Sequence, residues 1–281
     1  MINWRTPTSA HWYDTDGKPC YEVPCKSKPG EMRATTLRDA RKLNLVPSVT
    51  SILSIIRKPA LEDWRMRSLL EEAVTVKRND TESDKDYIDR IINGYRQNTE
   101  MARDWGTACH IAVEDFLKRD TRTATAEVNA YLTSIAVETF IDFENDMNIK
   151  IIYCEKPFAC NWGYGGKVDI VGVINGVRYV IDMKFKETSK ERKLPCKTKD
   201  LYDDDYGLQL AAYACGLGFF DKSLDDMALL NLFISVNEPG LYSLVSWDMS
   251  RNDKLLNSFM KRLYVWKDIN NYNPEWTEPK N

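Results

Sequence analysis

What the chain lacks narrows its function first. Seven cysteines, Cys20, Cys25, Cys109, Cys154, Cys160, Cys196 and Cys215, include no C-x-x-C pair and are odd in number. That sets aside a secreted disulfide framework and the usual zinc signatures, and reduced thiols fit a cytoplasmic protein. No apolar run is long enough to cross a bilayer, and Met1-Ile-Asn-Trp-Arg5 does not read as a signal peptide, so no membrane partner is expected. No G-x4-G-K-[ST] occurs, which removes the Walker route to nucleotide binding. There is no excess of positive charge: the net charge is −3, so a polyanionic partner must be met by a local basic patch. Neither an internal repeat nor a linker rich in glycine, serine or proline interrupts the 281 residues. They are enough for one large domain, or for a catalytic core with a smaller helical part.

What is present centres on Glu155 to Lys186, where strand-like runs alternate with glycine-rich turns. Lys167 to Val173 and Val177 to Phe185 read as two β-branched strands joined by Asn175-Gly176, the dipeptide of a tight type I′ turn. Antiparallel pairing about that turn brings Asp169 and Asp182 to the same end of the sheet, with Lys184 on the face of Asp182. Two carboxylates, with the carbonyl of Met183, offer hard oxygen ligands for Mg²⁺ or Mn²⁺. The Lys184 ammonium is placed to orient a water and offset charge on a phosphate under attack. Val177, Tyr179, Val180 and Ile181 form an apolar approach to Asp182, as in a strand covered on both faces. Removing Asp182 is expected to abolish cleavage and spare the fold, since it relieves carboxylate repulsion.

Other elements supply possible partners. Glu100 to Lys118 has a helical period, with Trp105, Ala108, Ala112 and Phe116 as its expected buried stripe and Thr107, His110 and Glu114 on another face. Gly106, one turn before His110, is expected to admit a strand or a phosphate. Residues 75–98 read as a polar loop or solvated helix start. Arg57, Lys58, Arg65 and Arg67 are either phosphate contacts or a solvated helix face. Lys190, Arg192 and Lys193 lie in the one strongly basic stretch, a mobile charged loop or a DNA-contact loop, which runs into Asp200, Asp203, Asp204 and Asp205. Tyr206 to Leu217 is a helix with Gln209 and Tyr213 one turn apart. Ala228 to Val236 pairs with Leu241 to Trp247, and Ser250 opens a terminal helix with Leu255, Phe259, Leu263 and Trp266 as its stripe. Nearer the start, His11 to Val23 reads as a hairpin turning at Asp16-Gly17, Thr36 caps a short helix, and further helices begin at Ser48 and Ala60. The tail from Asn273 reads as frayed.

Taken in order, Gly106-x3-His110 with Glu114, Gly166-x2-Asp169, Ile181-Asp-Met-Lys184 and Gln209-x3-Tyr213 resemble the RecB-like branch of the PD-(D/E)XK nucleases, among them bacteriophage exonucleases. The resemblance implies an α/β fold with a restriction-endonuclease-like core, a central mixed β-sheet flanked by helices over 100–281, and an N-terminal hairpin and helical portion over 1–99. It implies a Mg²⁺- or Mn²⁺-dependent DNA nuclease, an exonuclease of phage or bacterial DNA processing, acting in the cytoplasm of a cell or phage host. His110, Asp169, Asp182 and the carbonyl of Met183 would bind the metal, and Lys184 would be the catalytic lysine. Gln209 and Tyr213 would hold DNA, with Glu114 and Glu155 supporting the site. Val168 stands where the superfamily name has proline, and no cysteine follows Cys215, so no iron-sulfur cluster is expected. The alternative is a catalytically inactive, nuclease-derived DNA-binding module.

Overall fold

A computed structural model describes residues 11–118, 130–201, 205–218 and 227–276. Five strands form the central sheet: β5 (Lys150–Cys160), β6 (Tyr164–Ile174), β7 (Val177–Lys186), β8 (Ala228–Ser235) and β9 (Tyr242–Trp247). They lie in chain order, antiparallel except for β7 and β8, so the sheet is mixed and the chain is α/β. The parallel pair needs a crossover, and helix α6 (Asp205–Gly218) lies within it. Asn175 and Gly176 both take positive φ, 51° and 81°, in the β6–β7 turn as their chemistry demands. β8 and β9 follow the strands read from sequence.

Helices cover both faces of the sheet. On one, α2 (Val49–Leu53), α6 and α7 (Asn252–Asn270) bury Leu210, Phe259 and Leu263 against Val168, Val180 and Leu229. On the other, α4 (Asp84–Lys118) and α5 (Ala130–Met147) bury Val113, Phe140 and Phe143 against Ile170, Ile181 and Leu230. Along β7 and β8 the alternation of Val180 with Ile181 and Leu229 with Leu230 divides the side chains between the two cores. Val177, expected to be covered, is exposed at the strand's beginning.

The N-terminal part does not stand apart. β1 (Trp12–Tyr13) pairs with β4 (Val46–Pro47), and Ser48 bridges to Gly165 of β6. Trp12, Ala40 of α1 (Leu37–Leu43) and Ile52 lie in the same core as Phe158 and Tyr213. The boundary expected between 99 and 100 falls inside α4, which runs unbroken from Asp84. Its early start is anchored by the Tyr87 hydroxyl, which donates to the carbonyls of Ala73 and Val76 at the end of α3 (Pro59–Thr75). The expected hairpin over 11–23 is reduced to a turn at Asp14–Lys18 with a Tyr13–Pro19 bridge. β2 (Glu22–Pro24) pairs instead with β3 (Met32–Ala34).

Caps account for several ends. Thr36 and Asp39 exchange hydrogen bonds in a capping box at α1, and Ser48 caps α2. The terminal helix keeps its expected stripe of Leu255, Phe259, Leu263 and Trp266, but its entry is held by Asp248, which accepts from the Ser250 N–H, rather than by a box begun at Ser250. The tail is not frayed as far as Trp276: Glu275 exchanges two hydrogen bonds with the Asn44 amide, and Trp276 packs beside Tyr13 and Val46. Asp203 and Asp204 lie outside the described residues. None of the described helices is long and apolar enough to cross a membrane.

Candidate metal centre and active site

The site forms where β6 loses its regular alternation. Val168 faces the α6 core and Ile170 the α4 core, so the strand slips phase at Asp169. The neighbouring ladder pairs Cys154 with Ile170 and Lys156 with Val168, leaving Glu155 opposite Asp169. Glu155 has φ 51°, a left-handed conformation in a buried non-glycine residue that costs about 1–3 kcal/mol. The β6–β7 ladder ends at Ile170–Ile181, and the Asp169 carboxylate takes the next donor itself, accepting the Met183 N–H at 2.7 Å. Met183 therefore reaches Asp169 through its N–H, and its side chain is buried in the α4 core.

Helix α4 brings His110 to this place. The buried residues of the helix here are Cys109 and Val113 rather than the stripe through Trp105, Ala108, Ala112 and Phe116, and Phe116 is exposed. That one-residue rotation aims His110 at the carboxylates: its Nδ1 lies 3.8 Å from Asp169 and 3.9 Å from Glu155. Phe185 meets the imidazole edge-on at 4.9 Å and fixes its plane. Ligand atoms of His110, Glu155 and Asp169 all lie within 4.8 Å of one another. Glu155 thus joins the donor cluster, while Asp182 lies outside it.

Asp182 faces α6 and is held by three donors. Its Oδ1 accepts from Lys184 Nζ at 2.6 Å and Gln209 Nε2 at 2.9 Å, and its Oδ2 from Asn231 Nδ2 at 2.9 Å. Asn231 is in turn oriented by the Trp247 indole at 2.8 Å. Gln209 also donates to the Tyr213 hydroxyl at 2.9 Å, and Tyr213 is buried edge-on against Phe158. Gly166 permits that packing, because a Cβ there would come within 2.8 Å of the Tyr213 ring. Asn231 was the residue sequence reasoning missed. Its signal is a lone amide in the apolar run of β8.

Burial dominates the electrostatics of the donor cluster. Burial, and then the charge of Asp182, push the Asp169 carboxyl up to about 7. Glu155 is raised by burial and by Asp169, and Lys167 forms an ion pair with it. Burial, with Lys184 nearby, lowers His110 to about 4, which leaves a neutral imidazole able to ligate. One nitrogen and two carboxylates whose charges burial resists make a donor set that a divalent cation of the Mn²⁺ or Mg²⁺ kind fits.

The remaining candidates stand further off. Glu114 is engaged by Lys118 one turn along α4, not by the donor cluster. Among the described residues Gly106 is approached by no strand: a Cβ there would meet nothing within 4 Å. Lys190, Arg192 and Lys193 are exposed on the loop after β7, where Ser189 and Arg192 close a turn. The loop's root is fixed by Thr188, whose N–H donates to Asn237 at 2.9 Å.

No family model matches the chain, and no curated protein does. Among solved structures that match, the crystal structure of SSO0001 is 12% identical, with the match covering 72% of this chain and 86% of that one at a TM-score of 0.22. A likeness of that size carries no argument.

Proposed function

We propose that the protein is a metal-dependent DNA nuclease, an exonuclease built on a restriction-endonuclease-like core. The observation that carries the reading is the meeting of the His110, Glu155 and Asp169 donors with the Asp182–Lys184 pair across the parting of β6 and β7. His110, Glu155 and Asp169 would hold Mg²⁺ or Mn²⁺, which when bound supplies Lewis-acid activation of water and phosphate. Asp182 positions the Lys184 ammonium, and Gln209 and Asn231 hold Asp182 in turn. Lys184 orients the attacking water and offsets charge gathering on the phosphate. Lys190, Arg192 and Lys193 give the local positive surface that a chain of net charge −3 needs to meet DNA. The reading places the work in the cytoplasm, with no iron-sulfur cluster.

The test uses end-labelled linear single- and double-stranded DNA beside closed circles, each with Mg²⁺ or Mn²⁺. Cleavage from ends that spares circles is expected. Asp169→Asn should lose at least about 10³-fold in rate, several kcal/mol of transition-state stabilisation. Lys184→Ala should lose most turnover yet keep stabilisation by metal. Full activity in Asp169→Asn would overturn the assignment. Binding of DNA without cleavage in the parent would leave the inactive DNA-binding module.

A further inference from the structure

A cavity of about 490 Å³ opens beside the α6 side of the site, with Lys184 and Gln209 in its wall. Its opposite wall comes from the N-terminal part, where the α2–α3 junction and the first turns of α3 contribute Arg57, Lys58 and Arg65. Four cations, counting Lys184, face two carboxylates, Glu62 and Asp205, so the lining reverses the sign of the chain as a whole.

The two carboxylates are differently committed. Asp205 is buried and takes both Lys58 and Arg262, a fixed arrangement. Glu62 holds Arg57 through two hydrogen bonds of 3.1 and 2.7 Å, but the Arg57 side chain is 84% exposed. A solvent-exposed pair of that kind contributes little, and a phosphate can take the carboxylate's place on the guanidinium. Ile56, which is exposed, Leu61 and the Tyr206 ring add apolar surface to the same cavity. An anionic backbone with exposed apolar base faces matches this mixture. A duplex, with its bases turned inward, would leave those three side chains without contact.

We propose that this cavity takes a single strand of polynucleotide next to the scissile phosphate, with Arg57 and Arg65 binding its backbone phosphates. The proposal rests on the nuclease reading for its register on Lys184, but its own test is binding without metal. Fluorescence anisotropy of a 5′-labelled oligothymidylate in EDTA compares the parent, Arg57→Ala/Arg65→Ala, and Arg67→Ala. Arg67 shares α3, pairs with Asp63 and lies outside the cavity wall. The double variant should bind about tenfold more weakly at ~0.1 M salt, and its salt slope should fall by about 1.4, two single-strand phosphate contacts. A labelled duplex should lose less, and Arg67→Ala should match the parent. Arg57 and Arg65 are exposed, and Arg57→Gln/Arg65→Gln keeps polar side chains should the alanines disturb α3.

Unchanged affinity and slope, an equal loss on duplex, or a parent that does not bind the oligonucleotide would overturn the proposal. A parent that cleaves DNA while the double variant binds and cleaves like it would remove the channel and keep the nuclease. The expected losses of binding in a parent that cleaves nothing would do the reverse.

Discussion

The two aspartates flanking the parting of β6 and β7 are treated in opposite ways. Asp169, on the side of α4, stands with Glu155 and His110, and its carboxyl is raised by burial and by Asp182. Asp182, on the side of α6, is buried under three side-chain donors from β7, α6 and β8. One acid has a charge that its surroundings resist, and the other is enclosed by side-chain donors. The first condition suits a ligand that a cation would relieve. The second suits a residue that aligns a lysine and a glutamine.

The contrast is broken most severely at Asp182. Asp182→Ala would leave Asn231, Gln209 and the Lys184 ammonium without their shared acceptor, so the expectation that its removal spares the fold gives way. A loss of about 3–5 kcal/mol in urea unfolding is expected, as for other buried ion pairs deprived of one partner. Asp182→Asn should cost less, because its carbonyl still accepts. Equal stability of Asp182→Ala and parent would show that the three donors find other partners.

Asp169 should behave with the opposite sign. Its folded pKa of about 7 lies above the ordinary 3.8, so its contribution to stability is fully present below about pH 4 and is lost as pH rises through 7. Asp169→Asn mimics the protonated form. Its stability relative to the parent should therefore climb as pH rises from about 4 to 7 and level off above that. Mn²⁺ should raise the unfolding midpoint of the parent at pH 7.5 and leave that of the variant in place. A pH-independent difference between the two proteins would place Asp169 in a satisfied environment like that of Asp182.

Which of these features the sequence carried depends on whether the cause is local. The Asn175-Gly176 turn, the Thr36–Asp39 box and the α7 stripe obey rules spanning a few residues, and they were legible. His110 was legible beside Glu114 from helical spacing and Asp169 beside Asp182 from hairpin register, while the meeting of the helix with the hairpin was only what the resemblance implied. The α4 stripe was misjudged by one position because periodicity sets spacing, while the side on which the sheet lies sets phase. Glu155 is not a residue that announces a left-handed conformation. Its place among the donors follows from strand pairing across β5 and β6, which a local reading does not see. Two of Asp182's three partners, Gln209 and Asn231, come from 27 and 49 residues away, through the crossover that makes β8 parallel.

Gly106 offers the smallest and most diagnostic change, because it tests whether the α4 side of the site is open for a reason. Gly166 and Gly106 both belong to the pattern that pointed to a nuclease, yet only Gly166 is confined by packing. A glycine inside a helix costs about 1 kcal/mol relative to alanine, and among the described residues no side chain or backbone lies over Gly106 to repay it. Gly106→Ala should therefore stabilise the protein by about 1 kcal/mol, read from urea midpoints at constant slope. Gly106 lies one helical turn, about 5.4 Å along the axis, before His110. A methyl group there would share the helix face of His110 and touch nothing within 4 Å. We expect metal stabilisation to be unchanged and the KM for DNA to rise while kcat holds, the signature of lost uniform binding. Stabilisation with an unaltered KM would mean that substrate does not pass over this turn, and that the approach lies on the α6 side alone.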